Sequence, residues 1–200
     1  VIERGEGTRV WDVEGSESLD FVAGVAVNTL GHAHPVVTGA IAKQAATLIH
    51  ISNHFYSKPM IELARLLVEH SCLDRVFFCN SGTEAVEGAI KLARRWGHDT
   101  KGGAHEIITA VDSFHGGATG ALAATGNARH QEPFAPLLPG FAHVPWNNIE
   151  AIRAATTEHT VAIMLEPIQG EGGVNLPAQG YLAAVRQWCD ERGLLLILDE

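Results

Sequence analysis

The chain has 200 residues, 46% apolar and 18% charged, the balance of a globular protein with a sizeable core. Lys+Arg 14 against Asp+Glu 23 gives a formal charge of -9 and no basic cluster, which excludes a nucleic-acid partner. No apolar run reaches the roughly 18 residues of a membrane span, and the opening VIERGEGTRVWD does not read as a signal sequence. Cys72, Cys79 and Cys189 show no paired spacing, which disfavours a disulfide scaffold or structural zinc and predicts a reducing, cytoplasmic setting.

In chain order, Thr8 to Val13 and Leu19 to Val22 flank Glu14-Gly15-Ser16, a hairpin signal. Pro35 to about Ile49 and Met60 to Val68 repeat apolar residues at helical spacing. Arg75 to Cys79 reads as a short buried strand, and Ala85 to Trp96 as a helix stopped by Gly97. Strands and helices then alternate. Strands are predicted at Glu106 to Val111, Phe141 to Val144, Val161 to Leu165 and Leu194 to Leu198. Helices are predicted at Ile149 to Ala155 and Tyr181 to Arg192, the latter with Gly193 at its cap. Gly116 to Ala124 is Gly/Ala-rich and predicts a loop leading into a helix. The alternation predicts an α/β fold: a mostly parallel (mixed) sheet with helices on both faces. The dense apolar run ending at Leu198 predicts a central strand, and with it a fragment whose parent sequence continues beyond Glu200.

In open α/β sheets, ligands sit beyond the carboxyl ends of the strands. The residues just after the predicted strands are Asn80-Ser81-Gly82-Thr83-Glu84, Asp112-Ser113-Phe114-His115-Gly116, Glu166 and Asp199. Ser81, Gly82 and Thr83 have the properties of a phosphate cup, since the first amides of a helix are unpaired and carry partial positive charge. Taken in isolation, the same residues read first as a helix cap, with Glu84 or Glu87 closing a capping box. There is no Walker lysine and no G-x-G-x-x-G, so a nucleotide fingerprint is absent. Asp199, at a buried strand end, needs a cation or donors. A protonated ring nitrogen of a cofactor would serve, as would an arginine or a helix start. Phe114 and His115 are placed to stack on a flat ring, or else to pack in the core and bond within the loop. His32 and His34 flank Ala33 at a spacing zinc can use, but no carboxylate pattern completes a site, so no metal is expected.

The chain resembles the class III, fold-type I pyridoxal-phosphate aminotransferases, and within them the acetylornithine/ornithine branch. The resemblance rests on Phe21 to Pro35, Asn80 to Arg94, Ser113 to Gly116, Glu166 to Val174 and Leu198 to Glu200, in family order. It implies a small N-terminal α+β segment with a linking helix over residues 1–50. It also implies a cofactor-binding large domain over 51–200, incomplete at its C-terminus. The implied cofactor is pyridoxal 5'-phosphate. Ser81, Gly82 and Thr83 would hold its phosphate, Phe114 would stack on the ring with His115 beside it, and Asp199 would pair with the ring nitrogen. Glu166 and Glu171 would lie on the substrate side. The implied reaction is ping-pong transfer of an amino group from an acetylornithine- or ornithine-like donor to 2-oxoglutarate. That would place the protein in amino-acid metabolism, in arginine biosynthesis, as a homodimer with an active site at the subunit interface.

Two departures stand out. The family's Schiff-base lysine follows its Asp-Glu motif, whereas the lysines here are Lys43, Lys58, Lys91 and Lys101, so the isolated chain is expected to be inactive. The arginine expected after His115-Gly116 is replaced by Gly117, which cannot clamp a substrate α-carboxylate. An aminomutase on the same scaffold and a non-catalytic module binding a phosphorylated ligand are the competing readings.

Overall fold

A computed structural model describes all 200 residues and divides them into two compact units, Val1–Val76 and Phe77–Glu200. The division falls after Val76, whereas the sequence reading placed a boundary after residue 50.

The first unit opens with a three-stranded antiparallel meander, β1 (Ile2–Glu6), β2 (Arg9–Asp12) and β3 (Glu17–Leu19). The β2–β3 hairpin is the one the turn signal predicts; β1 is an additional strand. Asp12 fixes that turn by accepting from the amides of Glu14 (3.0 Å) and Ser16 (2.8 Å). A single left-handed turn, α1 (Ala23–Ala26), follows, then α2 (Pro35–Ala45) and α3 (Lys58–Glu69). His32 is held between Asp20 (2.7 Å) and Asn28 (3.0 Å), so both its ring nitrogens are engaged by side chains. Asp20 also accepts from the amides of Ala23 and Val22, and these bonds with His32 hold its carboxyl below the usual range.

Residues 75–79 form no strand. Phe77 is 75% exposed, and no strand runs alongside to take up its backbone groups. Four apolar residues in a row, Val76 to Cys79, make a strand only where a neighbour supplies the ladder.

The second unit is built on a four-stranded parallel sheet in the order β5-β4-β6-β7. Its strands are β4 (Glu106–Ala110), β5 (Phe141–Val144), β6 (Thr160–Leu165) and β7 (Leu195–Leu198). Every residue of β6 is buried, as expected for a strand covered on both faces. Ile107, Ala162 and Met164 pack on one face against α4 (Gly82–Thr100) and α5 (Thr119–Ala124), through Val86, Ile90, Ala93, Ala121 and Ala124. Ile108, Ile163 and Leu165 point the other way, toward Ile152 of α7 (Ile149–Ala155) and Val185 and Cys189 of α8 (Tyr181–Arg192). Between α5 and β5 lie a short helix, α6 (Ala128–Gln131), and a 3-10 turn at Glu132–Phe134. The α/β architecture with helices on both faces is therefore present.

Helix α4 does not stop at Gly97. It runs on to Thr100, and Gly97 is buried within it because a side chain there would strike the Ala104 carbonyl. Glycine at this position serves close packing of helix on strand rather than termination.

Candidate functional site

The carboxyl ends of β4, β6 and β7 open on one cleft of about 570 Å³. It is lined by Gly82, Thr83, Phe114, His115, Glu166 and Asp199, with Gly116, Gly170 and Glu200 among the neighbours. Residues more than 80 positions apart in sequence thus meet where parallel strands end together.

The N-terminus of α4 forms one wall. Ser81 caps the helix by accepting the Glu84 amide at 3.2 Å, and Glu84 reaches back to accept the Asn80 amide at 2.6 Å. The capping box is real, and it leaves the Gly82 and Thr83 amides facing the cleft with the positive end of a 19-residue helix behind them. Nothing lies within 4 Å of where a Cβ on Gly82 would stand, so an anion has room to approach the backbone. Ser81 itself does not line the cleft.

The loop after β4 forms the second wall. Phe114 is 41% exposed and meets His130 edge-on at 5.9 Å. His115 turns the opposite way. Its side chain is fully sealed from solvent, its amide donates to the Thr125 hydroxyl at 2.9 Å, and its Nδ1 donates to Asp199 Oδ2 at 2.8 Å. The His115 residue borders the cleft while its ring is buried and bonded to Asp199. Its Nε2 is buried with no partner. Gly116 adopts φ 120°, and a Cβ there would drive into the Thr83 hydroxyl, so only glycine lets the loop close on α4.

The third wall carries the carboxylates. The Asp199 amide continues the sheet by donating to the Leu165 carbonyl at 2.9 Å, which places Asp199 beside Glu166. Glu166 accepts from the amides of Phe114 and Gly170, each at 3.2 Å, so it ties the two loops together. Burial pushes its carboxyl above the usual range, against the lowering effect of those two bonds. Glu171 lies on the exposed turn that follows and does not line the cleft. Thr125, which accepts the His115 amide, carried no signal in the sequence, and Glu87, a capping-box candidate there, instead accepts the amides of Gly120 and Ala121 at the start of α5.

The class III aminotransferase family model matches residues 1–200. The chain belongs to the class III aminotransferases. The acetylornithine aminotransferase of Caldanaerobacter subterraneus subsp. tengcongensis is 55% identical over 201 residues, covering 100% of this chain and 51% of that protein. The N-acetylornithine aminotransferase of Stenotrophomonas maltophilia superposes with a TM-score of 0.82 at 41% identity, covering 99% of this chain and 50% of that one. An ornithine aminotransferase structure from Toxoplasma gondii, with partial occupancy of PLP at its active site, gives a TM-score of 0.91 at 34% identity. It covers 99% of this chain and 48% of that one. The chain spans about half the length of the curated relatives it matches.

Class III aminotransferases use pyridoxal phosphate, and the cleft suits that molecule. Free amides at a helix start would suit a phosphate, an exposed aromatic ring would suit a flat heterocycle, and a carboxylate fixed by a buried imidazole would suit a ring N–H. None of Lys43, Lys58, Lys91 and Lys101 lines the cleft; Lys101 instead donates to the carbonyls of Arg192 and Gly193 at the end of α8.

Proposed function

We propose that this chain is the cofactor-holding part of a pyridoxal-phosphate transaminase that moves an amino group from an acetylornithine- or ornithine-like donor to 2-oxoglutarate by a ping-pong route. The observation that carries the reading is the convergence of Gly82, Thr83, Phe114 and Asp199 on a single cleft. Bound there, pyridoxal phosphate supplies an electron sink for the carbanion formed at the substrate carbon.

Each residue has a distinct task. The Gly82 and Thr83 amides bind the phosphate, with Ser81 keeping the helix end in shape. The Phe114 ring covers one face and excludes water from it. Asp199 holds a proton on the ring nitrogen, and His115 keeps its carboxylate oriented. Glu166 fixes the Phe114 loop by accepting its amide, which makes it a brace at the edge of the substrate space. Glu171 stands on the turn beyond and meets the substrate side from there. The chain supplies binding and orientation and no lysine for covalent attachment. Assembly as a homodimer, a cytoplasmic location and a place in arginine biosynthesis belong to the same reading.

Gly117 favours a second reading, an aminomutase on this scaffold, because position 117 offers no guanidinium for a donor's α-carboxylate. The test is Asp199→Ala in the full-length protein, with acetylornithine and 2-oxoglutarate as substrates. Glutamate formation and the cofactor's visible absorbance should both be lost. Unchanged turnover and absorbance would overturn the reading, and wild-type protein that forms no glutamate while isomerising an amino substrate would favour the mutase.

A further inference from the structure

Thr83 and Glu87 stand four residues apart on α4, one turn, and so share a face. That face touches the loop carrying Phe114 and His115 at Gly116 and the start of α5 just beyond it. At its near end, Thr83 fills the space beside Gly116 that a Cβ would need. At its far end, Glu87 Oε1 accepts the amide of Gly120 at 2.7 Å and that of Ala121 at 2.9 Å. Gly120 and Ala121 are buried, so no water replaces this acceptor. A Cβ on Gly120 would lie 2.8 Å from Glu87 Oε2, so the glycine is what lets the carboxylate seat. One helix thus carries the phosphate wall at its start and grips the aromatic wall one turn later.

We propose that Glu87 is a positioning residue that sets the spacing between the Gly82–Thr83 amides and the Phe114 ring, and so tunes affinity for the heterocycle separately from affinity for its phosphate. The proposal rests on the cofactor reading above. It predicts an uncoupling: removing the carboxylate loosens the start of α5 and, through it, the placement of the Phe114 loop, while the amides at the start of α4 stay where Ser81 and Glu84 hold them.

The experiment uses full-length apoprotein of wild type, Glu87→Ala and Glu87→Gln. Pyridoxal phosphate is titrated by absorbance, and inorganic phosphate is measured as its competitor. Glu87→Ala should weaken pyridoxal phosphate by about tenfold or more, the loss of two bonds to a charged acceptor. Its phosphate inhibition constant should stay within about twofold of wild type. Glu87→Gln keeps one acceptor oxygen and should fall between. Equal affinity of wild type and Glu87→Ala for pyridoxal phosphate overturns the proposal, as does a parallel loss of both affinities, which would mean general loosening. Should Glu87→Ala fail to fold, Glu87→Gln carries the same comparison, and no rise in its dissociation constant overturns the proposal. Wild type without affinity for pyridoxal phosphate overturns the cofactor reading and this proposal together; wild type that binds, beside variants that bind equally well, overturns this one alone.

Discussion

His115 and Asp199, 84 residues apart, share a 2.8 Å bond in which the imidazole is wholly buried and the carboxylate keeps a quarter of its surface in the cleft. A carboxylate pinned on one oxygen presents the other in a fixed direction. His115→Phe should lower kcat by about 10- to 100-fold at saturating cofactor, with little change in KM for the amino donor. Asp199→Asn keeps the shape and loses the charge, and should cost about 100- to 1,000-fold in kcat. Steady-state kinetics of the full-length protein measure both.

Glu166 gives a pH signature. Its carboxyl is raised in the folded protein, burial being the leading cause, so the native state keeps a proton that the unfolded chain gives up. The stability this contributes is complete below the ordinary glutamate range and is lost as pH rises through the raised value. Wild type should therefore lose Tm relative to Glu166→Gln across that interval. Parallel Tm profiles for the two proteins from pH 4 upward, at about half-unit steps, decide the point.

Gly97→Ala tests the packing of α4 on the sheet. The added methyl runs into the Ala104 carbonyl and approaches Val161. Overpacking of this kind should cost about 1–3 kcal/mol, read as a lower urea midpoint with an unchanged m-value.

Gly117→Arg tests specificity. Position 117 is exposed, and nothing lies within 4 Å of a Cβ there, so stability should change by no more than about 0.5 kcal/mol. A guanidinium beside Gly116, which lines the cleft, should lower KM for donors bearing an α-carboxylate by about tenfold and leave donors without one unchanged. Equal KM shifts for both donor classes would refute the role.

Much of the architecture is a local property of the chain. The continuous apolar run of β6, the capping residues at the start of α4 and the Gly193 cap of α8 depend on neighbours a few residues away, so periodicity and turn chemistry reveal them. The residues after each strand were legible for the same reason: a strand's end is visible where its apolar run stops. Residues 75–79 show where this fails, because a strand also needs a partner and local pattern names none.

The sequence by itself determined the alternating elements and the set of polar groups available at one rim of the sheet. Only the tertiary structure decided what each group does there. It buried the His115 ring against Asp199, made Glu166 a brace for the Phe114 amide and sent Glu87 to the start of α5. The partners in these bonds lie 84, 52 and 33 residues apart, respectively. Such distances carry no periodic signal, because a partner across the sheet is chosen by strand order and register rather than by spacing along the chain.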